Sequence, residues 1–495
     1  MRIGRIKAET ASRRTFLVGA ATVGALPLFN IGGLMAAPLA RRVAQGGRIR
    51  VALIGCGAQM TGLIRRMGGD RNVQVMALVD PLPSGIRAVK ASAKKFYGSF
   101  DFTGAWEGAD YREMFEQVGD RIDAAFIATP NHHHAIPALM AIRRGIHVYV
   151  EKPLALTLEE VALLAREAKR FGVVTQVGNY GHSTKAMRMC VDAVKNGVIG
   201  DVTEVYCYSD RVNSMFFRPP ASPPPKGMDW DIWCGPAPVC EFYGPHEGRT
   251  GLHPHDWHSW IGYGNGSIGN MGTHIMDAPF WALDLGKTGP ESVEAKDVAW
   301  GCPGAWAYRD TIDYTFPARG TLPPVTLHWY DGIRDGVPIA VSHMERCYNI
   351  LKKRSDLNFP PALLEFERKY NLGKAPLAFM GSVFIGTKGA IWHCFHSSLR
   401  FFPKGLGTDF IKNKAGYQAN EHVLEFLNAV RERREANTGF GYSIPLAQTV
   451  LLGNVAARAG KKKLLWDGTR ITNDESANAY LTTAYRSGWE LEGKE

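Results

Sequence analysis

A glycine turn follows the first strongly apolar run of the chain, residues 49–54, which predicts a buried strand. The six residues that follow it, at the start of a predicted helix, are Gly55, Cys56, Gly57, Ala58, Gln59 and Met60. Two glycines at such a turn let a pyrophosphate approach the backbone at a helix N-terminus. Met60 stands where the usual spacing has a third glycine. The turn therefore predicts a dinucleotide-binding site with one departure from the common pattern.

Asp80 ends the second apolar run, residues 73–79. An acidic residue about 20 positions beyond the glycine turn typically binds the ribose 2′-hydroxyl of NAD. We therefore predict NAD rather than NADP as the cofactor. The alternative is that Asp80 is only a turn residue before Pro81.

Polar residues also follow two further predicted strands, residues 124–128 and 147–150. Open α/β sheets bind ligands at the carboxyl ends of their strands. The residues that this rule adds to the predicted cofactor site are Thr129, Pro130, Asn131, His134, Glu151 and Lys152.

These segments need a scaffold that brings strand ends together. Between residues 48 and 178 short apolar runs alternate with helical patterns, and Thr157 with Glu160 predicts a capping box at one helix start. The alternation predicts an α/β Rossmann domain, a doubly wound parallel sheet. From residue 179 to 495 the pattern predicts an α+β domain with a largely antiparallel sheet and an insertion at about 332–377.

The N-terminal segment contains Arg13-Arg14 followed by a weakly apolar, Gly- and Ala-rich run, and predicts a twin-arginine signal over residues 1–40. We expect export to the periplasm through the twin-arginine machinery, with the cleavage site left open. Outside the cytosol little free dinucleotide is available. A dinucleotide enzyme there must hold its cofactor tightly or restore it within each turnover.

The composition narrows the classes of partner. The formal charge of +11 is spread along the chain, and its basic runs, such as residues 461–463, are no longer than three residues, so a nucleic-acid partner is not expected. The eight cysteines include no C-x-x-C pair. Cys234 and Cys240 are near enough in sequence to bridge, although scattered buried thiols are the favoured interpretation.

Several segments together resemble the Gfo/Idh/MocA oxidoreductase family, in a bacterial branch exported by the twin-arginine route. They are A-T-P-N-H-H-H at 128–134, E-K-P at 151–153, G-N-Y-G-H at 178–182, D-W-D-I-W-C-G-P-A-P at 229–238, G-N-G-S-I-G-N-M-G-T-H-I-M-D at 264–277 and Y-R-S-G-W-E-L at 485–491. The resemblance implies a nicotinamide cofactor and a carbohydrate or polyol substrate. It also implies that the sheet of the second domain is open-faced, and hence a homo-oligomer, dimer or tetramer. It also adds Asn179 to the predicted cofactor site.

The resemblance assigns catalysis to Lys152 and His274. Oxidising an alcohol removes a proton from oxygen while hydride leaves carbon. A histidine with a near-neutral pKa suits the proton transfer, and a lysine can stabilise the negative charge on oxygen. Many family members have Asp four residues before the histidine, whereas this chain has Asn270. An amide supplies no charge to stabilise imidazolium, so we predict a lower pKa for His274.

The predicted substrate contacts are His182, His255, Trp257 and Asp277. Asp277 would share a face with His274 if this segment is helical. Three histidines and an aspartate within residues 253–258 could also hold a metal. No distant fourth ligand can be named for it, so the favoured interpretation is a sugar pocket and no metal is predicted.

Three functions remain open at this point. The first is an exported nicotinamide-dependent oxidoreductase that acts on a sugar, glycoside or polyol hydroxyl. The second is redox-neutral glycoside cleavage by transient oxidation and elimination. The third is a non-catalytic sugar-binding or scaffold protein of the same fold.

Overall fold

The computed structural model describes residues 40–43, 47–97, 100, 102–247, 249–334, 336–337, 354–394, 398–413, 419 and 421–491. The predicted signal, apart from Ala40, lies outside these residues, as does the middle of the predicted insertion.

The first sheet has six parallel strands, as the alternation of apolar runs and helices predicts. The strands are β1 Ile49–Ile54, β2 Val73–Val79, β3 Trp106–Gly108, β4 Ala124–Ile127, β5 His147–Val150 and β6 Thr175–Val177. The intervening helices are α1 Ala58–Met67, α2 Pro83–Tyr97, α3 Tyr111–Val118, α4 Ala135–Ile142 and α5 Leu158–Phe171. The order β3-β2-β1-β4-β5-β6 reverses at β1 and β4. The carboxyl ends of these two strands therefore flank the crevice where such sheets bind ligands.

The second sheet has eight strands, and only its β7–β10 pair is parallel, which confirms the largely antiparallel prediction. The strands are β7 Val202–Ser209, β8 Ser292–Trp300, β9 Ala307–Phe316, β10 Val325–Gly332, β11 Gly381–Gly386, β12 Ala390–Cys394, β13 Ser398–Phe402 and β14 Lys463–Leu465. The helices of this region are α6 Lys185–Lys195, α7 Trp230–Cys234, α8 Gly266–Ile275, α9 Asp277–Ala282, α10 Pro361–Lys369, α11 Thr408–Asn413, α12 His422–Glu432 and α13 Phe440–Ala459. Buried and half-exposed residues alternate along β9 and β10, so one face of the sheet is buried more deeply than the other. On the less buried face, Tyr330 packs against a cluster that includes Leu363 and Phe366 of α10, so this helix covers part of that face.

Helix α12 crosses the predicted domain boundary. Its apolar residues Val423, Phe426 and Leu427 are fully buried in the core of the first sheet, together with residues of β1 and α1. A segment far along the sequence therefore completes the Rossmann core, and residues 38–495 form one compact unit.

Two helices fix the position of the predicted catalytic segments. Helix α5 begins at the predicted capping box, where the Thr157 hydroxyl accepts from the Glu160 N–H and the Glu160 carboxylate accepts from the Thr157 N–H. All ten residues of α8 are buried, and the helix contacts both α13 and the second sheet. Gly272 of α8 leaves room for Val450 of α13, whose side chain lies 3.2 Å from an ideal Cβ position.

Among the described cysteines each thiol is free, including Cys234 and Cys240, in line with the favoured interpretation. In the same described part of the chain, no helix combines the length and the apolarity needed to span a bilayer.

Candidate active site

A cavity of about 280 Å³ opens where the carboxyl edge of the first sheet meets α8 and the 253–258 segment. Fourteen residues that the sequence predicts as site residues line it. They are Gly55, Gly57, Ala58, Gln59, Asp80, Thr129, Pro130, Asn131, His134, Glu151, Lys152, His255, Trp257 and Asn270.

The glycine turn has one tight position and one open position. Gly55 has φ +82°, and a Cβ there would lie 2.8 Å from the backbone of Ala128 and Thr129. Gly57 has no atom within 4 Å of its ideal Cβ position, and it precedes α1 without a side-chain cap. Backbone N–H groups at a helix start with space in front of them fit a pyrophosphate. Met60, in contrast, is fully buried in the core of the first sheet.

Asp80 lies beside the same turn. Its carboxylate accepts hydrogen bonds from the Cys56 N–H at 2.7 Å and the Leu82 N–H at 2.8 Å, which fix its orientation. Burial raises the pKa of Asp80 to about 6, and the two backbone hydrogen bonds oppose the rise. The carboxylate is therefore ionised at neutral pH and has lone pairs left for ribose hydroxyls. Cys56 contributes its backbone, since its side chain is buried.

The ends of β4 and β5 are joined through His134. Its ring nitrogens lie 2.7 Å from the Pro153 carbonyl and 2.9 Å from the Thr129 carbonyl. Burial lowers the pKa of His134 to about 4, so the ring is neutral and donates to one of the two carbonyls. The buried Thr129 hydroxyl and the Asn131 amide oxygen have no partner among the described residues. Burying polar atoms without hydrogen bonds costs free energy, and a polar ligand that bonds to these two atoms would offset this cost.

Lys152 follows β5 and reaches across to α8. Its ammonium donates to the Asn270 Oδ1 at 2.6 Å. Burial lowers the pKa of Lys152 to about 8, and the neighbouring Glu151 opposes the shift. Glu151 in turn accepts from the Gln59 Nε2 at 2.8 Å, and burial raises its pKa. The cavity thus holds an ammonium that exchanges its proton near physiological pH.

The Asn270 amide is bonded at both ends. Its Nδ2 donates to the Asn213 Oδ1 at 3.1 Å. The Asn213 N–H donates to the Ser267 hydroxyl, which donates to the Arg211 carbonyl. This arrangement directs the Asn270 carbonyl towards Lys152. No sequence pattern indicates Asn213, because a single asparagine in a loop matches no motif.

His274 lies one turn after Asn270 on the same face of α8. Its ring packs edge-on against Tyr180, with 5.8 Å between the ring centroids. The described lining of the cavity includes Lys152 and Asn270 but not His274. Lys152 and Asn270 are therefore brought together, whereas the pairing of Lys152 with His274 stays a prediction.

Asn179, His182 and Asp277 form a separate, closed group. The Asp277 carboxylate is fully buried, lies 3.0 Å from the His182 Nδ1 and accepts from the Asn179 Nδ2 at 2.9 Å and from the Tyr442 hydroxyl. Trp281 stacks on His182 with 3.8 Å between centroids. The geometry gives these residues a structural role, and neither the predicted cofactor contact of Asn179 nor the predicted substrate contacts of His182 and Asp277 gain support from it. The helix that carries His274 ends at Ile275, and α9 begins at Asp277.

The cavity wall opposite the glycine turn is aromatic. Trp257 stacks on His258 with 3.6 Å between centroids, and Trp233 and His253 also line the space. Burial, and then the nearby Lys152, lowers the pKa of His255 to about 4, so its imidazole is neutral. Within the described residues, no group of three or more histidine, cysteine or acidic side chains could hold a metal. The wall can cover the apolar face of a ring while neutral imidazoles meet its hydroxyls.

Asn265 is a second residue that the sequence left without a role. Its Oδ1 accepts from the Asn131 Nδ2 at 2.7 Å, and its Nδ2 donates to the Leu156 carbonyl at 2.8 Å. It therefore ties the cavity wall after β4 to the start of α8. The motif in this segment is recognised by its histidine, nine residues later, and so it does not indicate a role for the asparagine.

Comparison with known proteins places the first sheet in a family. Residues 49–179 match the family model GFO_IDH_MocA, described as an oxidoreductase family with an NAD-binding Rossmann fold.

Curated relatives match only parts of the chain. A 1-carboxy-3-chloro-3,4-dihydroxycyclohexa-1,5-diene dehydrogenase of Comamonas testosteroni is 27% identical over 171 residues, 34% of this chain and 40% of that protein. A 1,5-anhydro-D-fructose reductase of Ensifer adhaerens is 38% identical over 94 residues, 19% of this chain and 28% of that protein. The glycosyl hydrolase family 109 protein 1 of Bacteroides fragilis is 30% identical over 124 residues, 25% of this chain and 26% of that protein. The chain thus spans less than half the length of these relatives.

Solved structures share the fold over most of the chain. A WlbA dehydrogenase from Bordetella pertussis, in complex with NADH and UDP-GlcNAcA, has a TM-score of 0.56 at 16% identity and covers 87% of this chain and 99% of its own. An aldose-aldose oxidoreductase from Caulobacter crescentus, complexed with glycerol, has a TM-score of 0.50 at 14% identity and covers 85% of this chain and 100% of its own. At these identities the likeness establishes the two-domain architecture.

Proposed function

We propose that the chain, whose residues 49–179 match the NAD-binding Rossmann model of the Gfo/Idh/MocA oxidoreductase family, belongs to that family and oxidises or reduces a carbohydrate carbon. The substrate is a sugar, glycoside or polyol hydroxyl. One observation carries the proposal: Asp80, the open Gly57 turn and the Lys152–Asn270 pair line one cavity. Cofactor-binding and proton-transfer groups thus face the same space.

The residues present fit the dinucleotide. The N-terminus of α1 beyond Gly57 would hold the pyrophosphate, and the Asp80 carboxylate would bind the ribose. A bound nicotinamide would accept a hydride from the substrate carbon or donate one to it.

Lys152 is the group that handles the hydroxyl proton. As an ammonium it binds the substrate oxygen and stabilises its negative charge, and with a pKa of about 8 it also exists as the free amine that accepts a proton. Asn270 holds the nitrogen in place. His255 and Trp257 bind the hydroxyls and the apolar face of the ring. His274 is the second proton-transfer group of the proposal. Its ring packs against Tyr180 and is not part of the described cavity lining, so its role is to be tested with a variant.

The second candidate is redox-neutral cleavage of a glycoside. Oxidation of a hydroxyl to a ketone acidifies the adjacent C–H, and loss of that proton expels the neighbouring glycosidic oxygen. Addition of water to the resulting enone replaces the expelled group, and a bound nicotinamide would return the hydride to the ketone, so that the cofactor would end in its starting state. Lys152 favours this route, because it lines the cavity and a pKa of about 8 leaves a fraction of free amine at neutral pH that can accept the C–H proton. The name of the Bacteroides fragilis relative is consistent with such chemistry.

We further propose that the protein is exported to the periplasm as a homo-oligomer with tightly held NAD. The Arg13-Arg14 pair supports export, and the half-exposed residues that alternate along β9 and β10 supply a surface for association. Cell fractionation of the Arg13→Lys, Arg14→Lys double variant tests export. Retention of this variant in the cytosol is expected.

The reaction is tested on protein purified without added nucleotide. Mass spectrometry identifies the cofactor that copurifies, and a glycoside is then supplied without NAD. Reducing sugar without net NADH formation supports cleavage, whereas NADH accumulation on the protein supports net oxidation. Lys152→Met is expected to abolish either outcome while the cofactor still copurifies. A protein that carries no nicotinamide and takes none up would overturn both routes and leave the scaffold interpretation.

A further inference from the structure

We propose that a second cavity binds a small carboxylate-bearing ligand of the sugar-acid class. This cavity, which we call the Arg458 cavity, has a volume of about 550 Å³. It lies between the start of α5, the C-terminal half of α13 and the chain after residue 478. Its volume falls within the range of small-molecule sites. It is separate from the cofactor cavity, since the two share no lining residue.

One face of α13 supplies the floor. Leu451, Asn454, Val455 and Arg458 line the cavity, at the i, i+3, i+4 and i+7 positions of a helix. Asn454 is held by the hydrogen bond from its Nδ2 to the Asn265 carbonyl at 3.0 Å. The floor is therefore a fixed helix surface with polar and apolar parts side by side.

Arg458 is the only charged residue among the described lining residues. Its guanidinium packs on the Tyr480 ring with 4.2 Å to the centroid, and no described acidic group lies within ion-pair distance of it. Burial lowers its pKa, so the charge is partly withdrawn from water without a counter-charge. A planar guanidinium with five donors is suited to bidentate binding of a carboxylate. An anion in the cavity would therefore offset the cost of burying the charge.

The rim of the cavity is anchored on both sides. The Glu159 N–H donates to the Leu481 carbonyl at 3.0 Å, and the Tyr485 hydroxyl donates to the Glu160 carboxylate at 2.6 Å. Between these anchors Thr483 and Ala484 line the opening. The C-terminal segment thus forms one wall of the cavity that Arg458 also lines.

The remaining lining selects among anions. One guanidinium neutralises one carboxylate, whereas a phosphate dianion would bring a second negative charge into the cavity that no lining residue compensates. Threonine hydroxyls and the Asn454 amide offer hydrogen bonds, while Trp306 and Tyr480 add aromatic surface. This mixture of one cation, neutral polar groups and aromatic rings fits a hydroxylated ring or chain that carries one carboxylate.

The test is calorimetric titration of the purified full-length protein with D-glucuronate, with D-glucose and inorganic phosphate as parallel probes. We expect glucuronate to bind and the other two to bind at least about tenfold more weakly, since the charged hydrogen bonds or the sugar contacts are lost. Arg458→Met should weaken glucuronate about tenfold or more. Ala484→Trp, which plugs the opening without touching the guanidinium, should do the same.

Two controls locate the bound probe. Lys461→Met removes an exposed cation three residues beyond Arg458 and should leave glucuronate binding unchanged. Lys152→Met alters the cofactor cavity and should also leave it unchanged. Loss of binding in Lys152→Met with retention in Arg458→Met would place the ligand in the cofactor cavity and overturn the proposal. Equal binding of phosphate, or no heat from glucuronate with the wild type, would overturn it as well.

Discussion

The Lys152 ammonium donates a 2.6 Å hydrogen bond to the Asn270 carbonyl oxygen, across the boundary between the two sheets. One partner follows β5 of the first sheet and the other lies on α8, which packs on the second. The acceptor is a neutral amide, so the bond orients the lysine without the rise in pKa that a carboxylate would cause. Burial then dominates and lowers the pKa of Lys152 to about 8.

Replacement of Asn270 by aspartate should therefore change the pH dependence of catalysis. A carboxylate next to the Lys152 nitrogen favours the ammonium and should raise its pKa by about one unit or more. The lysine-dependent limb of the kcat/KM profile should move to higher pH by the same amount. The charge should also stabilise an imidazolium at His274, one turn away. Profiles with identical pKa values for wild type and Asn270→Asp would contradict both expectations.

Asn213 should act as a positioning residue for the same pair. In Asn213→Leu the Asn270 Nδ2 loses its acceptor, and the amide is free to turn its NH₂ group towards Lys152. Leaving a buried donor unpaired costs about 1–3 kcal/mol, so we expect kcat to fall about tenfold with NAD affinity unchanged. Asn213→Asp keeps an acceptor and should restore most of the activity. Equal losses of kcat in both variants would indicate a merely structural residue.

The two glycines of the turn should respond differently to the same substitution. Gly55→Ala places a Cβ 2.8 Å from the β4 backbone at φ +82°, and should lower the melting temperature. Gly57→Ala meets no protein atom within 4 Å and has an ordinary φ of −82°. It should keep the melting temperature but weaken NAD binding, because its methyl group occupies the space for the pyrophosphate. Unchanged NAD affinity in Gly57→Ala would exclude the turn as the pyrophosphate site.

The strand ends show what a sequence can predict about a site. Residues after β1, β2, β4 and β5 meet in one cavity because parallel strands share their carboxyl edge, so the period of the apolar runs was enough to assemble Gly57, Asp80, Thr129 and Lys152. The capping box at Thr157 was also predictable, because it depends on two residues only three positions apart. These predictions depended on spacing along the chain and not on contacts between distant segments.

Residues set by distant contacts were not predictable in this way. Asp277 was expected to share the face of His274, but α8 ends before it, and its carboxylate accepts hydrogen bonds from Asn179 and Tyr442. Helix α12 joins the first core although its sequence lies some 250 residues beyond β6. Amphipathic periodicity shows that a helix is buried on one face, but not which sheet covers it.

NAD binding should weaken at acidic pH through Asp80. Its carboxyl has a pKa of about 6, so it is ionised and accepts from ribose hydroxyls above that value and is protonated below it. The dissociation constant for NAD, measured by fluorescence, should be flat above pH 7 and rise as the pH falls through 6. Asp80→Asn should bind NAD more weakly and lose this dependence. A dependence that persists in Asp80→Asn would assign the titration to another group.

His255 and His182 were both predicted from the sequence as substrate contacts, but we expect substitutions at the two positions to have different effects. His255 lines the cavity, whereas the buried His182 bonds to Asp277 and stacks on Trp281. We expect His255→Asn to raise KM for the sugar about tenfold with little change in melting temperature, since it removes one hydrogen-bonding group from the wall. His182→Asn should lower the melting temperature and leave KM nearly unchanged, because it breaks a buried hydrogen bond outside the cavity. If His182→Asn instead raised KM in a stable protein, the substrate would reach past Tyr180 towards His274, and the catalytic centre would extend beyond the cavity that Lys152 and Asn270 line.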